Sequence, residues 1–239
     1  MNSNSSLENK ENIKVIVRIR PKIEREYDQG TSNIKVDGNS IITNTKNESK
    51  QYTYDYIATE ESNQSEIFEQ CARGIADSTL QGYNGTIFVY GQTGAGKTYT
   101  LLGPKLSGCN SSEEETNLNS NIAMNRGASF NRFLQKKEEE GKGVLPRVIE
   151  YLFEKSKSIE CSTVTFSCSF LEIYQEQISD LLDNNVNKQV NIRDLSETVI
   201  IEGLSKITVT TAEDTLQLVS KGIVYLPKYR NQIETRGKY

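Results

Sequence analysis

The sequence predicts a three-layer α/β domain, in which helices cover both faces of a central, mostly parallel sheet. Runs of β-forming residues are interspersed with stretches whose apolar residues recur at helical spacing. One fully apolar run, residues 86–90 (TIFVY), leads directly into a glycine-rich turn that is followed by another helical stretch. A chain of 239 residues is long enough to bury the core that such a domain needs.

The strands are predicted from alternation, β-branched residues and turn signals. In the first strand, Ile13, Val15, Val17 and Ile19 share one face, and Pro21 ends the run. The turn signal Asp37-Gly38-Asn39 joins a hairpin. The predicted strands lie at residues 13–20, 33–36, 40–43, 86–90, 163–174, 190–193 and 198–201.

The helices are predicted from apolar spacing and from residues typical of helix ends. Gly82 and Gly222 stand where helix stops are expected, and Thr211 stands at an N-terminal cap position. The predicted helices span residues 67–80, 96–103, 144–153 and 211–222, with a short amphipathic stretch at 177–182.

Composition shifts divide the chain into an ordered domain and three polar or divergent segments. Residues 1–11 are polar and expected to be disordered, and residues 223–239 form a divergent tail. Residues 105–142 are rich in Asn, Ser, Glu and Lys and predict a mobile, low-complexity insertion with one short helix near 130–134. The domain itself is expected to cover residues 12–222.

The bulk composition excludes several classes of function. A formal net charge of −4 argues against a general nucleic-acid binder, and no apolar run is long enough to span a bilayer. The chain has no histidine, and its four cysteines form no C-x-x-C pair. Histidine-based catalysis, histidine metal sites and thioredoxin-like chemistry are therefore excluded. The N-terminus lacks a secretory signal, which predicts a cytoplasmic protein.

One motif carries chemistry, because residues 91–98 match the phosphate-binding pattern G-x-x-x-x-G-K-[ST] in full. Glycines let the loop backbone turn its amides toward phosphate oxygens, and the following helix adds its positive N-terminal dipole. Lys97 is expected to reach the β- and γ-phosphates, and the Thr98 hydroxyl to bind Mg²⁺. The motif consists of Gly91, Gln92, Thr93, Gly94, Ala95, Gly96, Lys97 and Thr98.

ATP is the expected nucleotide. A GTPase would carry an N-K-x-D motif, and both Asn-Lys pairs of the chain, at residues 9–10 and 187–188, lack the Asp. Glu172, at the end of an apolar run, is the nearest imitation of an acidic Mg²⁺ partner, but a structural role is the better interpretation. No catalytic residue is identified.

Residues 82–98 (GYNGTIFVYGQTGAGKT) are similar to the P-loop region of kinesin motor domains. Further kinesin-like motifs follow in family order: R-I-R-P at 18–21, Y-T-Y-D at 52–55, G-V-L-P-R at 143–147, and EIYQEQI with DLL at 172–182. The region from 143 to 182 is most similar to kinesin-12 types. The resemblance covers residues 12–222 apart from the insertion.

The resemblance implies a kinesin-type P-loop fold, an ATPase stimulated by microtubules, and a location on the microtubule cytoskeleton. By position, Arg18, Arg20 and Pro21 are expected to line the adenine side, and Tyr99 to lie beside the base. Residues 186–209 correspond to a lesser tubulin-facing region.

The chain also departs from the family pattern. Neither family switch motif, N-x-x-S-S-R-S-H or D-L-A-G-S-E, occurs in the sequence. The resemblance therefore implies a partial motor domain that holds a nucleotide without the groups needed for hydrolysis. Two alternatives stand beside a motor: a non-hydrolysing nucleotide-binding or interaction module, and an unrelated P-loop kinase or ATPase.

Overall fold

The structure is a computed structural model and describes residues 13–27, 34–44, 48–106, 136–159, 163–185, 188–196 and 198–236. Its strands form five small sheets, four with two strands and one with three. Among these ladders, only the pair formed by residues 16–18 and 56–58 is parallel. The predicted alternation of helices and strands is confirmed, but the described strands do not form one continuous central sheet.

The N-terminal third begins with β1 (Ile16–Arg18), as predicted, followed by the short helix α1 (Glu24–Tyr27). The predicted hairpin is confirmed as β2 (Ile34–Asp37) and β3 (Ser40–Asn44), with Gly38 at φ 54° in the turn. Two further strands were not predicted, β4 (Ser49–Thr53) and β5 (Tyr56–Ala58). β4 is exposed throughout and polar, so it carries no alternation, and β5 is only three residues long.

The predicted helix at 67–80 is two helices, α2 (Gln64–Cys71) and α3 (Arg73–Leu80), which meet at Ala72. Asn63 caps α2 through a reciprocal pair of hydrogen bonds with Glu66. The predicted stop at Gly82 is confirmed, because this residue has φ 95° and its amide donates to the carbonyl of Thr79.

The strand predicted at residues 86–90 is wrong for the described part of the molecule, since these residues join no ladder. Ile87 still packs against the core, whereas Phe88 is 82% exposed and Tyr90 is 88% exposed. An apolar run becomes a strand only when a neighbouring strand satisfies its backbone groups. No described strand is hydrogen-bonded to residues 86–90.

The glycine-rich turn leads into α4 (Lys97–Leu106), which is interrupted at Gly103 (φ 79°), as the sequence predicted. Gly103 lies against Gly141 and Gly143, where the backbones cross so closely that a methyl group on Gly143 would lie 2.5 Å from the carbonyl oxygen of Leu101. We call this contact the glycine crossing.

The polar insertion predicted at 105–142 is described only at its ends. Residues 136–141 are helical, so structure resumes within the predicted insertion and before its expected end. The short helix predicted near 130–134 lies outside the described residues. The next helix, α5 (Val144–Ser156), confirms the prediction at 144–153.

The long strand predicted at 163–174 is two strands in different sheets, β6 (Phe166–Cys168) and β7 (Leu171–Tyr174). β7 turns back into β8 (Gln177–Asp180), where a short amphipathic stretch was predicted. The turn places Gln175 and Glu176 at positive φ, 48° and 62°. The chain divides at residues 169–170 because its two halves pair with different partners.

The second predicted hairpin is confirmed as β9 (Asn191–Asp194) paired with β10 (Val199–Glu202). β11 (Ile207–Val209), which was not predicted, pairs with β6.

The last helix, α6 (Ala212–Arg236), begins after Thr211, whose hydroxyl accepts the amide of Asp214 as the predicted cap requires. The stop predicted at Gly222 is wrong, because the helix continues through it. A Cβ at this position would lie 2.4 Å from Cδ1 of Phe170. Gly222 is therefore a close-packing glycine, not a helix end.

The core lies between β5, α2 and the start of α5. Its buried members are Ala58, Ile67, Phe68, Ala72 and Val144. The rings of Phe68 and Tyr151 pack edge to face with centroids 5.7 Å apart. Since α4 packs on α2 and α5, this core supports the helix that follows the glycine-rich loop.

Candidate nucleotide-binding site

The loop that precedes α4 has the tight backbone that its glycines predict. Gly94 and Gly96 have φ values of 83° and 94°, a region that residues with a Cβ avoid. A Cβ on Gly91 would lie only 3.1 Å from the Cβ of Ala95, across the loop. Glycine is thus required where the loop folds back on itself.

The loop leaves a row of amides free to meet a ligand. The amide of Ala95 donates to the carbonyl of Gln92, 3.1 Å away, and closes the turn. Within the described residues, the amides of Gly94, Gly96, Lys97 and Thr98 donate no hydrogen bond. The N-terminus of α4 adds its partial positive charge at the same place. This arrangement fits an anion such as a phosphate group.

Lys97 lies across the loop. Its Nζ donates to the carbonyl of Gly91 at 2.6 Å and to the carbonyl of Gln92 at 2.8 Å. An ammonium group has three donors, so one remains for a ligand at the centre of the loop. The next residue, Thr98, is exposed at the start of the helix.

Arg20 holds the loop from the β1 side. Its Nε donates to the carbonyl of Gly94 at 2.9 Å, and its terminal nitrogens form a bidentate pair with Glu26 at 2.7 and 2.5 Å. Hydrogen bonding to Glu26 raises the pKa of Arg20, so the guanidinium stays charged. The adjacent Pro21 is exposed and accepts from Arg20 through its carbonyl.

Arg18 lies beneath the first turn of α4. Its Nη1 donates to Oε1 of Gln64 at 2.7 Å and to the hydroxyl of Thr100 at 3.0 Å. Its guanidinium carbon lies 5.4 Å from the ring centroid of Tyr99, a cation–π contact. Burial lowers the pKa of Arg18. The guanidinium nevertheless remains charged, because the pKa of an arginine lies far above neutral pH.

The structure brings the predicted residues into two adjoining groups. The loop residues and Arg20 form one group, and Arg18 and Tyr99 form the other. Two supporting side chains, Glu26 and Gln64, were missed by the sequence reasoning. Gln64 could have been found, because it precedes the buried Ile67 and Phe68 by three and four residues and so shares their helix face.

The comparisons with known proteins decide the family. Residues 8–232 match the kinesin motor domain. The chain belongs to the kinesin family. It is 36% identical over 220 residues to the kinesin-like protein KIF15-A of Xenopus laevis and 35% identical to human KIF15. It is also 31% identical over 243 residues to kinesin-related protein 13 of Dictyostelium discoideum.

These kinesins are much longer than the chain. The match covers 88% of the chain but only 14% of KIF15-A, and 98% of the chain but 16% of kinesin-related protein 13. Rice KIN-12F is 30% identical over 219 residues, consistent with a kinesin-12 type.

A solved kinesin has the same fold. The structure described as "Structure of a fast kinesin: Implications for ATPase mechanism and interactions with microtubules" matches with a TM-score of 0.69 and 28% identity. That match covers 88% of this chain and 52% of the solved one. The expected kinesin-type P-loop fold is therefore confirmed. No helix in the described ranges is long and apolar enough to cross a membrane.

Proposed function

We propose that this kinesin chain binds Mg·ATP through the loop at residues 91–98, as the nucleotide-binding part of a microtubule motor. The observation that carries the proposal is the row of unbonded amides at Gly94, Gly96, Lys97 and Thr98, at a helix N-terminus. Phosphate oxygens are acceptors that match such donors. The formal net charge of −4 does not attract anions to the chain as a whole, so anion binding would depend on a local group of donors such as this one.

Lys97 and Thr98 would hold the charged end of the nucleotide. The Nζ of Lys97 keeps one donor for the β- and γ-phosphates, and the Thr98 hydroxyl is exposed for a Mg²⁺ ion. A Mg²⁺ ion held there by Thr98 would offset the negative charge of the phosphates. The local donor set therefore fits a triphosphate with its metal.

The base would lie beside Tyr99, with Arg18, Arg20 and Pro21 along the same side. The ring of Tyr99 is 46% exposed and offers a face for stacking, while Arg18 supports it from below. Because the donors of Arg18 are engaged by protein groups, we infer that Arg18 acts on the base through Tyr99.

Microtubules are the proposed partner, and the microtubule cytoskeleton in the cytoplasm is the proposed location. The β9–β10 hairpin lies within residues 186–209, the region that the resemblance implies faces tubulin. It exposes Ile192, Leu195, Val199 and Ile200, an apolar surface of the kind that binds protein partners.

The test is nucleotide affinity in a Lys97→Ala variant, with Lys35→Ala, an exposed lysine on β2, as the matched control. Loss of a charge-assisted contact worth about 1.5–3 kcal/mol predicts a Kd for fluorescent ATP that rises by roughly 10- to 100-fold. The control variant is expected to bind like the parent chain. Equal affinity of the Lys97→Ala variant and the parent would refute this site.

A second candidate function is a nucleotide-binding or interaction module without turnover. It is favoured by the absence of both family switch motifs from the sequence. Binding and hydrolysis are separable, because a phosphate cradle positions a nucleotide, whereas turnover needs a group that orients water. A phosphate-release assay distinguishes the two candidates.

A further inference from the structure

Gln64 is the buried polar side chain closest to the candidate site. It is 2% exposed, although it opens a helix whose other buried members are apolar. A buried amide is costly unless its hydrogen bonds are made. Its Oε1 accepts from Arg18 at 2.7 Å, and its Nε2 donates to the carbonyl oxygens of Tyr99 at 2.8 Å and Gly141 at 3.3 Å.

These bonds hold Tyr99 from two directions. Gln64 contacts the backbone of Tyr99 directly, and it orients the guanidinium of Arg18 that lies 5.4 Å from the Tyr99 ring centroid. Arg18 is further tied to Thr100, one residue along α4. One amide group thus contacts both the backbone of Tyr99 and the arginine that lies beside its exposed ring.

The amide group is also the chemistry that this position requires. One acceptor faces Arg18, and two donors face carbonyl oxygens. A glutamate of the same shape would keep the acceptor but turn a carboxylate oxygen toward two carbonyls, and a methionine would satisfy none of the three groups.

We propose that Gln64 is a positioning residue of the nucleotide site, which fixes Arg18 and Tyr99 so that the surface for the base is preformed. The inference rests on the proposed function, because it assigns the base to Tyr99. Among the described residues, the hydrogen-bond partners of Gln64 are Arg18, Tyr99 and Gly141, which lie outside the phosphate loop at residues 91–98. Gln64 therefore acts on base affinity and not on phosphate affinity.

The experiment compares Gln64→Glu and Gln64→Met with Gln70→Glu and Gln70→Met, which alter an exposed glutamine on the same helix. Two probes are used with Mg²⁺: ribose-labelled fluorescent ATP, and inorganic tripolyphosphate as a competitor that lacks a base. Circular dichroism gives the thermal unfolding curve of each variant. Binding is measured at a temperature at which all the variants are folded.

Both Gln64 variants are expected to bind the fluorescent ATP about tenfold more weakly, with tripolyphosphate affinity within about twofold of the parent chain. Both Gln70 variants are expected to match the parent with both probes. Equal losses for the two probes would assign Gln64 to general support of the fold and overturn the inference. Unchanged affinity for the ATP analogue would also overturn it.

Failure of the proposed function would look different, since the parent chain would then bind neither probe. If the Gln64 variants do not fold, Arg18→Lys provides a second test. Lysine lacks the planar guanidinium under Tyr99 but leaves the bonds from Gln64 to Tyr99 and Gly141 in place. The same loss, confined to the ATP analogue, is expected, and an equal loss for both probes would overturn the inference.

Discussion

At the scale of single residues, Asp180 carries a concentrated set of polar contacts outside the candidate nucleotide site. Its side chain is 1% exposed, and it accepts from Nζ of Lys188 at 2.9 Å and from the amides of Ser205 and Leu182 at 2.7 and 3.0 Å. Burial alone raises the pKa of Asp180, but the hydrogen bonds from Lys188 and Ser205 outweigh it and lower the pKa below its ordinary value. These bonds connect the end of β8 to the residues on either side of the β9–β10 hairpin.

Asp180→Asn is expected to lower the free energy of unfolding by about 1–3 kcal/mol at pH 7, because the partly buried Lys188 loses one of its two carboxylate partners and keeps Asp183. The folded-state pKa is depressed, so the stability that the carboxylate contributes is present above the ordinary pKa of about 3.9 and is lost as pH falls through the lower folded value. Urea unfolding from pH 7 to pH 3 checks this.

The difference between the parent chain and the Asn variant should shrink over the acid end of that range. Asp37→Asn, at an exposed position on β2, is the control and is expected to change little at any pH. A difference that stays constant down to pH 3 would contradict the assigned role of the Asp180 charge.

At the scale of secondary-structure elements, glycine has two different structural roles in this chain. Gly82 ends α3 through its positive φ, as a sequence rule predicts. Gly222 lies within α6, because a side chain there would meet Phe170 and Leu181. The local sequence does not distinguish the two cases, since the second depends on residues about 40 to 50 positions away that come into contact only in the fold.

Gly222→Ala tests which effect dominates in α6. Helix propensity alone favours alanine by about 1 kcal/mol, whereas the new Cβ would lie 2.4 Å from Phe170. Overpacking of this kind costs about 1–3 kcal/mol, so a net loss of stability is expected. Gly74→Ala in α3, where no atom lies within 4 Å, is the control and is expected to gain stability. Thermal unfolding of both variants provides the measurement, and a higher midpoint for Gly222→Ala would contradict the packing role.

At the scale of the whole molecule, local signals predicted helices and hairpins well, and predicted strand pairing poorly. The hairpins β2–β3 and β9–β10 are set by their own turns, and the phosphate loop by its glycines, so each follows from adjacent residues. Residues 86–90 and the chain from 163 to 174 depend on distant partners. The contacts of Gln64 also span a long range, since its three partners are 46, 35 and 77 residues away, although its place on the buried face of α2 could have been predicted from its spacing.

The 239-residue polypeptide is expected to bind Mg·ATP without microtubule-stimulated turnover. Its proposed site offers hydrogen-bond donors for phosphate oxygens. The sequence contains no histidine and neither kinesin switch motif, and no residue is identified that would orient the attacking water. Microtubules should not change the rate of phosphate release by the parent chain. The Lys97→Ala variant should release phosphate at the same rate as the parent chain. Stimulation by microtubules that depends on Lys97 would show that the required groups lie elsewhere in this chain.

The glycine crossing has a consequence for how this protein can vary. Because Gly103 meets Gly141 and Gly143, two parts of the chain that are about 40 residues apart in sequence are held together at one point. The entropy of closing a flexible loop grows only with the logarithm of its length, so doubling that length costs about 0.6 kcal/mol. We therefore expect changes in chain length between residues 107 and 135 to leave α4 and the loop before it in place, because the glycine crossing holds the two ends together.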